Sequence, residues 1–298
     1  MKCGICNSTS LRFLFKTKDH DNLSSKHYSI YECKTCHTVS IQPAPSKKEL
    51  AKYYSDSYYT YKYYGLMNRY FLYLRANKIS KKGSILDVGC GEGSFLELMK
   101  KRGYECHGLE TSKDGAKKAM LKGLTVHNNI KKIRKKFDVI TLWHVLEHIT
   151  NPVSYLRRIR NLLKDDGFLI IAVPNFDSIQ SKLGRDMWFH LAPPLHIFHY
   201  TPKTIEALLK KENFKIVKVN HFSLEYNPFG YLQTFLNLFR TKDTNVLYKM
   251  LRRDSYKISA SFITLLALPI FVPISILMSI IEAMLKKGGT ILLYAKKD

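Results

Sequence analysis

Three residues suited to metal or proton chemistry lie in the segment WHVLEH. His144, Glu147 and His148 have the H-x-x-E-H spacing with which inverted zinc peptidases hold a metal and activate water. In those peptidases the motif lies within a long helix. Here it follows an apolar run directly and stops at an Asn-Pro pair, which is typical of a helix start. We therefore expect the motif at the carboxyl end of a buried strand, where open α/β sheets bind ligands, and we exclude a protease.

Four of the six cysteines form two C-x-x-C pairs, which are Cys3–Cys6 and Cys33–Cys36. The amino terminus carries no apolar signal segment, so we expect the chain to reside in the cytoplasm, where disulfide frameworks are rare. Two such pairs can supply the four thiolates of one tetrahedral structural zinc site. The sequence therefore predicts a small zinc ribbon, and a ribbon that has lost its metal is the alternative.

A glycine-rich loop indicates a cofactor site. In ILDVGCGEGSF, Gly89, Gly91 and Gly93 follow an apolar strand and open a helix, and glycine lets a backbone turn sharply and approach a ligand closely. The spacing G-x-G-x-G differs from the dinucleotide pattern G-x-G-x-x-G. Asp87 precedes the loop, and Glu110 ends the next apolar strand, where a carboxylate can accept hydrogen bonds from both hydroxyls of a ribose. Binding of another nucleotide and an inactive fold are the alternatives.

Apolar strands alternate with amphipathic helices from residue 84 onward. The predicted strands are SILDVG, YECHGLE, LTVHN, FDVITLW, FLIIAVPN, KIVKVNHF and, at the end, GGTILLYAKK. The predicted helix NPVSYLRRIRNLLKDDG begins with Asn151 as N-cap and Pro152 in its first turn, and TPKTIEALLKKENF begins likewise at Thr201. Such alternation predicts an α/β fold with a doubly wound sheet and helices on both faces.

The strings DVGCGEG, HGLE and FDVITLWHVLEHI together resemble the class I S-adenosylmethionine-dependent methyltransferases. The resemblance covers roughly residues 84–222 and the last strand, and it implies S-adenosylmethionine as cofactor and a seven-stranded Rossmann-like sheet whose last strand is antiparallel. The residues that it assigns to the cofactor are Asp87, Gly89 and Gly91 on the methionine and ribose side, Gly93 in the same loop, Glu110 at the ribose, Asn129 at the adenine, and Trp143 and His144 beside the sulfonium.

The two C-x-x-C pairs and the segment PPLHIFHYTPKTIEALL resemble a narrower group. These are bacterial methyltransferases with an N-terminal zinc-binding domain, often associated with surface polysaccharides and deoxysugars. This resemblance implies that His196 and His199 reach the sheet edge near the cofactor. An imidazole with an ordinary pKa near 6.5 can take a proton from a hydroxyl as the methyl group transfers. We expect a catalytic base among His148, His196 and Glu147; the alternative is that each only orients or caps its neighbours.

An uncharged apolar stretch, ISASFITLLALPIFVPISILMSII, occupies residues 258–281 and is long enough to span a bilayer. Pro269 and Pro273 lie in its middle, and each removes a helical hydrogen bond. Cations flank the stretch on both sides; they are Arg252, Arg253, Lys257, Lys286 and Lys287. This pattern favours two helices that dip into one leaflet of an anionic membrane and return. A transmembrane span and a buried helical hairpin or dimer interface are the alternatives.

Five segments are predicted along the chain. They are a zinc ribbon at 1–42, a Tyr-rich helical linker or lid at 43–82, a methyltransferase domain at 83–225, an apolar helical insertion at 226–287 and the final strand at 288–298. Tyr58, Tyr59 and Tyr61 lie where a substrate lid is expected.

The net charge of +24 is compatible with a lysine-rich solvated surface, an anionic membrane or an anionic substrate. We expect methyl transfer to a small or lipid-linked acceptor at the inner face of the membrane, with a sugar hydroxyl of a cell-surface glycan precursor as the favoured acceptor. The alternatives are methylation of a quinone or other isoprenoid lipid, and a non-catalytic membrane-docked module. Relatives that methylate quinone precursors carry a Glu-rich motif and use a divalent metal, whereas His144 stands in place of the first Glu here. RNA methylation fits the charge but not the apolar stretch.

Overall fold

The computed structural model describes residues 1–20, 24–51, 53, 65–239, 244–252 and 258–298. The strands within these residues are β1 Leu11–Lys18, β2 His27–Cys33, β3 Val39–Gln42, β4 Ser84–Val88, β5 Glu105–Leu109, β6 Thr125–His127, β7 Phe137–Trp143, β8 Leu163–Pro174, β9 Phe198–His199, β10 Phe214–Asn220 and β11 Thr290–Lys297. The α-helices are α1 Lys47–Ala51, α2 Gly65–Ala76, α3 Ser94–Lys101, α4 Lys113–Leu121, α5 Pro152–Leu162, α6 Ile179–Gly184, α7 Pro202–Lys211, α8 Asn227–Leu238, α9 Val246–Arg252 and α10 Ile258–Met284. Tyr58, Tyr59 and Tyr61 lie outside the described residues, so their part in a lid stays a prediction.

A seven-stranded mixed sheet forms the centre of the protein, in the order β10-β11-β8-β7-β4-β5-β6. The pairs from β6 to β8 are parallel, and β11 is antiparallel to both of its neighbours. Every residue of β4 and of β7 is buried, as expected for parallel strands covered on both faces by helices. The predicted α/β sheet with an antiparallel last strand is therefore confirmed.

The helices α5 and α7 begin as their sequences predict. The Asn151 side chain accepts a hydrogen bond from the Ser154 N–H at 3.2 Å, with a proline in the first turn. The Thr201 hydroxyl accepts from the Thr204 N–H at 3.2 Å, and the Thr204 side chain accepts from the Thr201 N–H in return. The histidine motif lies before the N-cap of α5 and is therefore outside that helix.

The helix α5 is shorter than predicted. It ends at Leu162, whereas the sequence predicted an end at Gly167. Leu163 instead begins β8 and pairs with Phe137, and the register then shifts before Phe168 pairs with Val139. Leu163 is fully buried in this position, so strand pairing places an apolar side chain in the core that another helical turn would direct elsewhere.

A second sheet, in the order β1-β2-β3-β9, joins the N-terminal segment to the chain that follows β8. Val39 pairs with His199 and Ser40 with Phe198. The Phe198 ring lies so close to Gly4 that a Cβ there would meet it at 2.7 Å. The predicted ribbon segment thus shares a sheet with the segment that carries His199.

The apolar stretch forms one helix, α10, so the expectation of two helices that dip and return is wrong. Pro269 and Pro273 lie inside it. Each proline removes only one backbone hydrogen bond, and the bonds of the neighbouring turns hold the helix together.

Asp138 joins the two central strands at their amino ends. Its Oδ2 accepts hydrogen bonds at 2.8 Å from the N–H and the hydroxyl of Ser84 and from Nζ of Lys164. Burial acts to raise the pKa of Asp138, but the bonds from Lys164 and Ser84 outweigh it and hold the pKa at about 2.

Asp138→Asn is expected to lower the free energy of unfolding at neutral pH by roughly 1–3 kcal/mol, because charge-assisted bonds to Ser84 and Lys164 are lost. The pKa is depressed in the folded state, so this stabilisation is complete above the unfolded pKa of about 4 and fades as the pH falls towards 2. Urea unfolding across this pH range measures the effect, with the exposed Asp166→Asn as control. An equal loss at all pH values would contradict the assignment.

Candidate active site

The glycine-rich loop between β4 and α3 takes backbone conformations that favour glycine. Gly89, Gly91 and Gly93 have φ of 72°, 55° and 77°. A Cβ on Gly89 would lie 2.6 Å from Cγ2 of Val145, so only glycine lets the loop pack against the segment after β7. The Gly89 N–H donates to the Leu109 carbonyl at 2.7 Å. The loop therefore lies where the carboxyl ends of β4, β5 and β7 meet.

Glu110, directly after β5, holds this loop. Its buried carboxylate accepts hydrogen bonds from the Gly91 N–H at 2.9 Å and from the Ser112 N–H at 2.7 Å. These two bonds fix the orientation of the carboxylate at the glycine-rich loop. The geometry is compatible with the predicted role of Glu110 at the ribose.

Asp87 lies beside the loop on β4. It is buried, and its Oδ1 accepts a hydrogen bond from the Thr141 hydroxyl at 2.6 Å. Burial raises the pKa of Asp87 to about 7, against the opposing effects of Thr141 and of the Arg75 charge. A carboxylate so desolvated favours a cationic ligand group, and the methionine ammonium of S-adenosylmethionine is one.

Arg75 belongs to this site and was not identified from the sequence. Its guanidinium pairs with the Glu225 carboxylate, donates to the Tyr226 hydroxyl and lies 5.6 Å from the centre of the Trp143 ring. In the sequence Arg75 looks like an ordinary surface cation. Only the tertiary packing of α2, which lies against α3, brings its charge beside Trp143 and near Asp87.

Trp143 and His144 close β7 at the same edge. The Trp143 ring packs edge-on against Phe95 at 5.9 Å between ring centres. His144 has φ 54°, which turns the chain sharply after the strand, and its ring lies 4.0 Å from that of Tyr226. The two rings thus border the same space as Arg75 and the glycine loop.

Glu147 is the most unusual group of the site. It is 1% exposed, and neither carboxylate oxygen has a hydrogen-bond partner among the described residues. Nδ1 of His144 lies 3.4 Å and Nε2 of His196 lies 4.0 Å from Oε1. A buried carboxylate without donors is costly, so this position calls for a proton, a cation or a ligand.

His148 and His196 lie beside this carboxylate. Nδ1 of His148 donates to the Leu195 carbonyl at 3.0 Å, and Nδ1 of His196 donates to the His190 carbonyl at 2.7 Å. In a neutral imidazole the other nitrogen, Nε2, then carries a lone pair. One ligand atom from each of Glu147, His148 and His196 lies within 4.8 Å of the others. The donor set of two imidazoles and a carboxylate suits a transition-metal cation.

Two further histidines, His190 and His199, lie near the group of Glu147, His148 and His196. Burial lowers the pKa of His190 and of His199 to about 3, so both imidazoles are neutral at physiological pH. His199 lies in β9, where it packs against Phe176 at 5.6 Å between ring centres. The Ile197 N–H donates to the Glu147 carbonyl at 2.8 Å, which holds the segment before β9 against the motif.

Asn129 is exposed and caps a short 3₁₀ turn, where its Oδ1 accepts from the Lys131 N–H at 2.9 Å. Its predicted contact with the adenine amine needs the same oxygen and stays a prediction.

The four cysteines of the N-terminal segment converge. Sγ of Cys3 lies 3.5 Å from Sγ of Cys36, the same distance separates Cys6 from Cys33, and all four sulfurs lie within 4.8 Å of one another. Four sulfurs about 2.3 Å from a zinc ion would be about 3.8 Å apart, so the cluster fits a tetrahedral thiolate site.

Known proteins resemble this chain over the same region. The sequence profile of a family described as "Methyltransferase domain" matches residues 57–219. A ubiquinone biosynthesis O-methyltransferase of Haemophilus ducreyi is 29% identical over 160 residues, which are 47% of this chain and 66% of the relative. The corresponding protein of Vibrio parahaemolyticus is 26% identical over 196 residues, or 58% of this chain and 82% of the relative.

A solved structure shows the same fold. It is a chain from the complex between the Haloferax volcanii Trm112 methyltransferase activator and its methyltransferase, with a TM-score of 0.53 and 13% identity over 85% of this chain and 99% of that one. The family profile covers more than half of the chain, and the sheet carries its glycine loop and acidic residues at one edge. The chain therefore belongs to the methyltransferase domain family, with the class I fold of S-adenosylmethionine-dependent methyltransferases.

Proposed function

We propose that the protein transfers the methyl group of S-adenosylmethionine to a hydroxyl of an isoprenoid-quinone precursor or a similar apolar acceptor. The observation that carries the proposal is the buried Glu147 carboxylate between two imidazoles beside the cofactor loop. The similarity to ubiquinone biosynthesis O-methyltransferases supports this acceptor over the glycan hydroxyl that the sequence favoured.

The cofactor is held by groups that the strand ends provide. Gly89 and Gly91 let the backbone approach it, Glu110 accepts hydrogen bonds from the ribose, and Asp87 binds the methionine ammonium. The guanidinium of Arg75 is suited to the methionine carboxylate, because its planar fork can form two parallel hydrogen bonds.

Methyl transfer needs alignment and the removal of one proton. The acceptor oxygen forms a bond to the methyl carbon while the bond from that carbon to the sulfonium sulfur breaks, and S-adenosylhomocysteine leaves. In the absence of a bound metal, Nε2 of His148 or His196 takes the hydroxyl proton, since the Nδ1 of each already donates to a carbonyl. The neutral state that burial favours for both imidazoles suits this role.

A divalent metal fits the same residues. Glu147, His148 and His196 would hold it, because the Glu147 oxygens have no donor among the described residues and one ligand atom of each of the three side chains lies within 4.8 Å of the others. An imidazole that binds the ion cannot take the hydroxyl proton, so this role and the base role are alternatives. When bound, such an ion acts as a Lewis acid that lowers the pKa of a coordinated hydroxyl. His144, which replaces a Glu of the metal-dependent relatives, lies near enough to orient Glu147.

Structural zinc at Cys3, Cys6, Cys33 and Cys36 is a further part of the proposal. The site lies at one end of the four-stranded sheet. The last strand of this sheet, β9, begins two residues after His196. Zinc there would brace the sheet that positions the catalytic segment and take no part in the reaction.

Glu110→Gln is expected to weaken S-adenosylhomocysteine binding about 10-fold or more, because a charge-assisted hydrogen bond to the ribose is lost. Calorimetric titration measures the dissociation constant. Glu105→Gln, an exposed change at the other end of β5, is the control and should bind as wild type does. No binding by folded wild-type protein would instead favour a non-catalytic module.

His148→Ala and His196→Ala are each expected to lower kcat about 100-fold or more and to remove one bound divalent metal per chain, with unchanged S-adenosylhomocysteine affinity. Elemental analysis and turnover with a hydroxylated aromatic acceptor measure both effects, with His127→Ala as control. Full activity in chelator-treated protein that keeps its cysteine-bound zinc would exclude a catalytic metal. Full activity of both His148→Ala and His196→Ala would exclude these two histidines as the base.

Cys36→Ser is expected to remove a different metal equivalent and to lower the melting temperature, while the affinity for S-adenosylhomocysteine changes little because no cofactor group lies in the ribbon. Elemental analysis and thermal unfolding test this, beside Cys106→Ser, which lies in β5 away from the four-cysteine cluster. An unchanged zinc content in Cys36→Ser would contradict the site.

A further inference from the structure

The helix α10 has a polar inside and an apolar outside, the reverse of a helix in a water-soluble core, and the neighbouring helix α8 also buries polar side chains, beside apolar ones. On α8, Gln233, Thr234 and Asn237 are buried. The Gln233 amide donates to the Asn237 side chain at 2.9 Å, and Asn237 in turn donates to Asn245 at 3.1 Å. The polar side chains of this segment thus satisfy one another inside the protein.

The inversion runs along α10. Its most buried residues form one stripe at helical spacing and are polar: Thr264, Ser275, Ser279 and Glu282, each at most 1% exposed. Its exposed face carries large apolar side chains instead, namely Phe262, Leu265, Leu266, Ile270, Val272, Ile274, Ile276, Leu277, Ile280, Ile281 and Met284. A stripe this long far exceeds the scattered apolar residues that a soluble surface tolerates.

Among the described residues, Thr264–Met284 is the one helical segment long and apolar enough to cross a membrane, with a mean hydropathy of 2.4 and 17% of its most apolar window buried. A soluble core helix would be mostly buried. We infer that the exposed face of α10 docks in an anionic lipid bilayer, with the helix lying in the plane of one leaflet.

The contacts of α10 favour this orientation over a transmembrane span. Near its carboxyl end Glu282 accepts a hydrogen bond from the Gln180 N–H at 3.2 Å. In its middle Phe271 stacks at 5.6 Å on Phe235 of α8, and Thr264 is buried near the other end. A helix of this length is about 40 Å long. Because it is attached along that length to one face of the protein, that face meets the membrane side-on.

The charge of the chain favours an anionic surface over a neutral one. The net charge is +24, and the cations Arg252, Arg253 and Lys257 precede the helix while Lys286 and Lys287 follow it. Basic groups near an anionic headgroup strengthen binding to the membrane surface. The apolar face supplies the insertion, and the flanking cations supply attraction and salt dependence.

The test is flotation of the full-length protein with vesicles of phosphatidylcholine, with and without phosphatidylglycerol. Wild type is expected to bind the anionic vesicles and to bind less as salt increases. The double variant Leu266→Glu, Leu277→Glu is expected to lower the bound fraction about 10-fold or more, because two exposed leucines no longer insert. Leu121→Glu, a change at a leucine of α4 that is more exposed than either, should bind as wild type does.

Three results would overturn the inference: equal binding of the double variant and wild type, no binding of wild type to either vesicle, or a wild-type dimer that the double variant dissociates without any vesicle binding. The last result would assign the face to a second copy of the chain. S-adenosylhomocysteine titration of the same variants shows whether they are folded and keeps this outcome separate from the proposed function.

The depth of two tryptophans tests the orientation. Phe262→Trp and Leu277→Trp place indoles about 22 Å apart along α10. Quenching of both by lipids labelled at one shallow depth is the expected result. Deep quenching at Leu277→Trp with shallow quenching at Phe262→Trp would show a transmembrane span and contradict the in-plane arrangement.

Discussion

The buried carboxylate of Glu147 is the constraint on which the rest of the site depends. A buried carboxyl group with no hydrogen-bond donor among the described residues is costly, and it lies here at the end of the central strand. The elements around it bring imidazoles next to it. His144 turns back toward it with positive φ, and the segment before β9 is hydrogen-bonded to its backbone so that His196 faces it. A proton, a metal or an acceptor hydroxyl completes the arrangement.

The second sheet connects the four-cysteine cluster to the segment beside Glu147. Because β9 pairs with β3, the cysteine-containing segment and the segment that carries His196 are parts of one structure. A metal at the cysteines would therefore stabilise the position of His196, the proposed base, without approaching the reaction. Strand pairing would then link the four-cysteine cluster to the group of Glu147, His148 and His196.

The central sheet could be predicted from the sequence because its strands are continuous apolar runs with glycines or caps at their ends. FDVITLW and SILDV are buried along their whole length, and Asn151 and Thr201 mark helix starts by their own hydrogen bonds. Arg75 and β9 could not be predicted in this way. Arg75 acquires its role only through the tertiary packing of α2, and a strand of two residues has no period to detect. The prolines of α10 favoured a break between two helices. The sequence pattern does not show that the backbone hydrogen bonds of the neighbouring turns keep the helix continuous.

Transfer of a labelled methyl group tests the central claim most directly. The whole 298-residue chain, purified without chelator, is incubated with S-adenosylmethionine labelled in its methyl group and with vesicles that contain an organic-solvent extract of bacterial membranes. A parallel reaction contains water-soluble sugar nucleotides in place of the extract. The account predicts base-stable methyl ether label in the isoprenoid-lipid fraction, with loss of that label in His148→Ala. Label confined to the sugar fraction would contradict it, and so would the absence of label in both reactions from protein that binds S-adenosylhomocysteine.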